Sequence, residues 1–139
     1  VLSKCSDKVA YIKNMLTNYP RHSLFKKENF ERVMHTSFES ISINEKKQAL
    51  AEFLYLAVEN NDLENFQTFL EVQGKATANP NYVLPSKAMS CLSFICQLDN
   101  EEQSIHFMNV MLEHSKHVIL LSPLNSEGDL TLDEYQPIN

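Results

Sequence analysis

Histidines, cysteines and paired carboxylates are the side chains of this 139-residue chain with the means to do chemistry, and their spacing decides whether they act together. Glu113, His114 and His117 come nearest to a metal-binding pattern, because imidazoles about one helical turn apart can face one ion. The order argues against it. A zinc-peptidase helix runs His-Glu-x-x-His, whereas here Glu113 precedes His114 and His117 falls where the helix should end. At a helix C-terminus both imidazoles suit the dipole without any metal. Cys91 and Cys96 are five residues apart, while a redox or zinc motif needs Cys-x-x-Cys, so both are expected in the core. Glu101-Glu102 and Asp133-Glu134 could be general acid and base only by converging in an apolar cleft that shifts their pKa values. At a helix start and near the chain end they read as solvated charges. Gly74 and Gly128 are the only glycines, which excludes phosphate-cradling loops and the Gly-x-Ser-x-Gly nucleophile elbow. No catalytic, cofactor-binding or metal-ligating residue is assigned.

The stretch Pro123 to Glu134 resembles an EF-hand calcium loop, with Asn125, Glu127, Gly128, Leu130 and Glu134 at suitable offsets. Its first position is Pro123, where a carboxylate should lead coordination, and too little chain follows for an exiting helix. An ordinary polar turn is the expectation. The formal charge of −6 is the wrong sign for following a phosphate backbone, so nucleic acid is not an expected partner. Three cysteines cannot all pair within one chain, which fits a reducing, cytoplasmic setting. The longest apolar run, Met89 to Ile95, carries two serines and is far shorter than the roughly 20 residues that span a bilayer. A chain that opens on Val1 is expected to be a piece of a larger protein.

Apolar periodicity and turn chemistry then place the elements. Ser6 should cap a helix to about Asn18, with Val9, Ile12, Leu16 and Tyr19 on its buried face, stopped by Pro20. Lys26 to Thr36 reads as a second helix with Phe30, Val33 and Met34 inward. Asn44 should cap a third, reaching Glu59 with Leu50, Phe53, Leu54 and Ala57 on one stripe. The Asn60-Asn61 turn and an Asp62 cap lead into an antiparallel fourth, bearing Leu63, Phe66, Phe69 and Leu70, before Gly74. Lys75 to Ser86, with Pro80 and Pro85, is a loop able to form a short β-like finger. A helix with Met89, Leu92, Phe94, Ile95 and Cys96 follows, then a turn capped at Asp99-Asn100. The next helix carries Ile105, Met108, Val110, Met111 and Leu112 to about His114. His117 to Leu121 is strand-like, ended by Pro123.

Two helix openings, Phe53-Leu54-Tyr55-Leu56-Ala57 and Cys91-Leu92-Ser93-Phe94-Ile95, are offset by 38 residues. Their companion helices end in Phe69-Leu70-Glu71 and Met111-Leu112-Glu113, offset by 42, and Asn125 to Leu132 provides a third opening. Recurrence near 40 residues is the mark of stacked helical pairs. From about Glu52 onward the chain resembles divergent ankyrin repeats, best over Leu54 to Gly74, where Leu56 to Leu63 looks like an inner helix and turn and Phe66 to Leu70 like an outer helix. It departs from the family at Cys91 to Ile95, which keeps only the leucine of Thr-Pro-Leu-His-x-Ala. The glycine after the inner helix is also missing, and the spacing exceeds the usual 33.

The resemblance implies an all-α chain, a short solenoid of antiparallel helix pairs over residues 44–139 with an N-terminal helical cap over 1–43. It further implies a monomeric, non-enzymatic module that grips a protein partner with a concave face built from the loop 75–86, a next finger near 122–129 and the inner helices. Lys75, Asn79, Asn81, Tyr82, Asn125 and Glu127 are the candidate contacts. Tyr82 is either a rigid aromatic anchor for the partner or packs back on its own helices. Two other readings stand beside this one: an accessory domain of an enzyme whose catalytic part lies elsewhere, and a bundle that self-associates through Met108, Met111 and Leu112. Ten lysines against two arginines suggest an AT-rich genome, hence a bacterial effector acting in a host cytosol or a protist protein.

Overall fold

A computed structural model describes residues 5–117 of the chain, and there the protein is mostly helical. Helix α1 (Cys5–Asn18) buries Val9, Ile12 and Leu16, three positions that share one face at 100° per residue. Tyr19 does not continue that face and is 61% exposed. The helix has ended before it, at Asn18, so the face's 100° periodicity no longer places its ring, and beside that end the Asn60 side chain donates to the Thr17 hydroxyl at 3.4 Å. A 3₁₀ turn (Ser23–Phe25) leads to α2 (Lys27–Thr36), which turns Phe30 and Met34 inward and leaves Val33 half-buried.

Helix α3 (Ile43–Glu59) begins earlier than the Asn44 cap would allow. Ser42 and Glu45 have the Ser-x-x-Glu spacing of a capping box: the Ser42 hydroxyl accepts from the Glu45 N–H at 3.2 Å and donates to its carboxylate at 3.0 Å. Asn61, at φ +53°, turns the chain into α4 (Leu63–Glu71), since asparagine tolerates the left-handed region. Leu63 is only half-buried; Phe66, Phe69 and Leu70 are buried as the periodicity requires.

A finger does form, but only its first strand falls within the expected loop of residues 75–86. Strand β1 (Val83–Leu84) pairs antiparallel with β2 (Met89–Ser90), Val83 opposite Ser90 and Leu84 opposite Met89. Met89 therefore belongs to the finger and not to the following helix, α5 (Cys91–Cys96). Asn100 caps α6 (Glu101–His114) by accepting from the Gln103 N–H at 3.0 Å. On α6 the buried residues are Phe107 and Met111, while Ile105 and Leu112 are 50% and 62% exposed. The helix carries two apolar stripes, and α4 takes the one containing Phe107.

Packing joins these elements in a definite order. Helix α3 lies against α1, α4 and α5, and α4 lies against α6. Phe25, Phe30, Phe53 and Phe69, from the 3₁₀ turn, α2, α3 and α4, form an aromatic cluster with ring centroids 4.8–6.3 Å apart. Phe66 and Phe107 meet edge to face at 5.1 Å and extend it to α6. One apolar cluster thus runs from Val9 to Met111. A polar node fastens the N-terminal helices to the α3–α4 turn: the buried Asp62 carboxylate accepts from Arg21 at 2.5 Å and from the Asn65 side chain at 2.8 Å, and Asn65 also donates to the Pro20 carbonyl at 2.9 Å.

Candidate functional site

The finger is built from its base outward. Asn79 closes the base with an Asx-type turn, its side-chain oxygen accepting from the Asn81 N–H and side-chain amide, both at 3.0 Å. The buried side chains of Tyr82 and Leu84 then pack with Ala51 and Tyr55 of α3. Tyr82 is 4% exposed and Asn81 1%, so neither is presented at the surface as an exposed anchor would be. In so short a strand, burial follows whichever side meets a neighbour, and α3 lies on the Tyr82 and Leu84 side. Beyond Leu84 the residues Pro85 to Ala88 are all exposed. The Ala88 and Lys87 N–H groups both donate to the Leu84 carbonyl, at 2.8 and 3.1 Å, and Ala88 takes φ +55° to close the tip.

The far side of the finger runs without a break into α5. Ser90, the last residue of β2, is also the N-cap of α5, its hydroxyl accepting from the Ser93 N–H at 3.1 Å. The Leu92 N–H donates to the Pro80 carbonyl at 3.0 Å. Phe94 stacks on Tyr55 with centroids 4.3 Å apart and planes 12° from parallel. Burial, and then the Glu59 carboxylate, raise the Tyr55 phenol above its ordinary pKa, so that it stays neutral under this stack.

Between finger, α3 and α1 lies a shallow cleft lined by Lys13, Glu52, Leu56, Glu59, Ser86 and Lys87, with the Lys87 ammonium 5.3 Å from the Tyr55 ring centroid. Two lysines and two glutamates around two leucines, Leu56 and Leu84, suit a partner surface of mixed charge; a cleft of about 40 Å³ does not hold an organic substrate. None of Lys13, Glu52, Leu56, Glu59, Ser86 and Lys87 is among the contacts expected from the sequence. The available signal is Pro85-Ser86-Lys87 between Leu84 and Met89, a turn-forming polar interruption flanked by apolar residues. Lys75, also exposed, lines a different recess with Glu31, His35 and Lys46, and Asn79 is half-buried at the finger base. Asn125, Glu127, the EF-hand-like stretch, the strand-like run beyond His117 and the third opening lie outside the described residues.

A recess of about 740 Å³ lies between α1 and α2, where Tyr11, Leu24 and Val33 border buried Ile12 and Phe38. Lys8 crosses it, donating to the Ser37 carbonyl with its ammonium 5.9 Å from the Phe38 ring centroid. At the end of α6, His114 Nδ1 lies 3.0 Å from the Glu71 carboxylate, and His117 Nε2 lies 2.7 Å from the Thr77 hydroxyl. Desolvation, and then Lys47, lower the His117 pKa. The two imidazoles thus have different partners, and among the described residues no group of three or more His, Cys, Asp or Glu is placed to hold a metal ion. No described helix is long and apolar enough to cross a membrane. All three cysteines are free: Cys5 half-buried, Cys91 buried with its thiol pKa driven up by desolvation, and Cys96 exposed. Compared with models of protein families, with curated proteins and with solved structures, the chain matches none.

Proposed function

We propose that this chain is a non-enzymatic protein-interaction module of the ankyrin-like kind, gripping a protein partner with the finger and the adjoining face of its inner helices. The observation that carries this reading is the finger itself: a hairpin whose base is buried on α3 through Tyr82 and Leu84 and whose tip, Pro85 to Ala88, stands in solvent beside a cleft of mixed charge. The order of packing supports it. Finger, α5 and α6 follow one another as a unit, with α5 laid on α3 and α6 on α4, so inner helix meets inner and outer meets outer. In this reading residues 1–43 form a cap on α3 and residues 44–139 the repeats. The principal contacts are Lys13, Glu52, Leu56, Glu59 and Lys87, with Asn79 and Lys75 at the margin and Asn125 and Glu127 on a further finger. The setting is the reducing cytoplasm, or a host cytosol if the parent protein is an effector.

A photo-reactive residue at Ser86 in the full chain, compared with one at exposed Asn109 on α6, tests the reading. One protein crosslinked from position 86, absent from position 109 and lost on adding Lys87→Glu, is the expected result. A partner captured only from position 109, or capture from position 86 that ignores Lys87→Glu, would overturn it.

A further inference from the structure

Helix α6 presents more apolar surface than the described residues cover. Seen down its axis at 100° per residue, Phe107 and Met111 define the core direction. Ser104, which donates to the Ile95 carbonyl at 2.8 Å, marks the side facing α5. Continuing the same way around, past α5 and away from α4, come Met108, Leu112 and Ile105, of which the last two are 62% and 50% exposed. On α5, Cys96 is exposed. Among the described elements, α4 and α5 pack on α6, and none of them covers this flank.

The course of the chain beyond α6 says what is at hand to cover it. After α4 the chain runs through Thr77 to the finger; after α6 it runs through His117, and the 2.7 Å contact between the His117 ring and the Thr77 hydroxyl sets the two exits side by side. Residues 118–139 thus start six positions beyond Leu112. They carry Val118, Ile119, Leu120, Leu121, Leu124, Leu130 and Leu132, a run rich enough in apolar side chains to need burial of its own. Fully extended they would reach on the order of 70 Å, against about 20 Å for the length of α6, so every part of the flank is within reach.

We propose that the chain's own segment 118–139 docks on the Ile105, Met108 and Leu112 flank of α6, extending the packing series beyond α5 and α6. This inference rests on the repeat reading above and adds the direction in which the series continues. The occupant is intramolecular, and the flank is therefore not an interface for a second copy.

Methyl-selective NMR on the full 139-residue chain tests it without any substitution. Nuclear Overhauser contacts from the Ile105 and Leu112 methyls to those of residues 118–132, unchanged on dilution, are expected. Contacts that appear only between differently labelled chains identify a dimer face and overturn the proposal, as does the absence of contacts from Leu112 to any residue beyond His117. As a second measurement, Leu112→Lys should lower the melting temperature by about 5 °C if the flank is covered, and by less than about 2 °C if it is bare. Missing methyl contacts with finger-dependent crosslinking intact would sink this inference alone. Methyl contacts present without that crosslinking would sink the binding reading alone.

Discussion

Replacing Asp62 with alanine removes the joint between the N-terminal helices and the α3–α4 turn, and its cost can be worked from the contacts. The carboxylate is the N-cap of α4, accepting from the Asn65 N–H at 3.2 Å, and loss of such a cap costs about 1 kcal/mol. It also holds the Asn65 side-chain amide at 2.8 Å within a buried site, a charge-assisted bond whose removal costs about 1.5 kcal/mol or somewhat more. The Arg21 pair is short but its arginine side chain is 54% exposed, so solvent screens it and its share is about 0.5 kcal/mol. Asn65 keeps its bond to the Pro20 carbonyl, which limits the damage. Asp62→Ala should therefore cost about 3 kcal/mol, and Arg21→Ala under about 1 kcal/mol. Urea unfolding followed by far-ultraviolet circular dichroism at pH 7 measures both, with an unchanged denaturant slope as the sign that only stability has moved. Asp62→Ser, which keeps a capping oxygen without the charge, should fall between the two. If Arg21→Ala proves as damaging as Asp62→Ala, the ion pair and not the buried cap holds the joint, and this reasoning fails.

Three further outcomes follow from the geometry. Tyr82→Ala should lose about 3 kcal/mol or more in the same unfolding assay, because a buried ring leaves a cavity against Tyr55 and Leu84; a near-neutral result would return Tyr82 to the surface. His117 should titrate below the ordinary histidine value of 6.5, since desolvation and Lys47 oppose its charge. The unfolded chain then binds the proton first as pH falls, so stability is full above about 6.5 and declines through the lowered folded-state pKa; His117→Gln, with an amide to face Thr77, should flatten that part of the profile, read by unfolding from pH 7.5 to 5. A thiol reagent followed by mass spectrometry should modify exposed Cys96 rapidly and buried Cys91 only on unfolding, and equal rates would contradict the placement of α5.

The helices were legible wherever period and punctuation agreed. Pro20, Asp62 and Asn100 each stop or start a helix by a local rule, and Leu50, Phe53, Leu54 and Ala57 share one face for a purely geometric reason. Where several neighbours compete, local rules run out. Helix α6 has apolar residues on two sides, and nothing in its own sequence says that α4 takes Phe107 and leaves Ile105 and Leu112 outside. Asn44 and Ser42 are both good caps, and the Glu45 carboxylate, read three residues back, decides for Ser42. Tyr82 stays open between anchor and core in the sequence for a related reason: beside a two-residue strand there is no period to read, and its burial is decided by α3, some thirty residues upstream. The face around Lys13, Glu52, Leu56 and Lys87 is assembled from α1, α3 and the finger, so no single stretch of chain announces it.

Ser90 serves the finger and the inner helix at once, with no residue between them to act as a hinge. A load applied at the Pro85 to Ala88 tip is therefore carried straight into α5. There it meets the Ser90 cap and the stacked Tyr55 and Phe94 rings, while Tyr82 and Leu84 pass the rest to α3. The finger is better understood as a short hairpin set on α3 and continuous with an aromatic stack than as a free loop, and under the proposed binding role a partner would have to fit it as it stands.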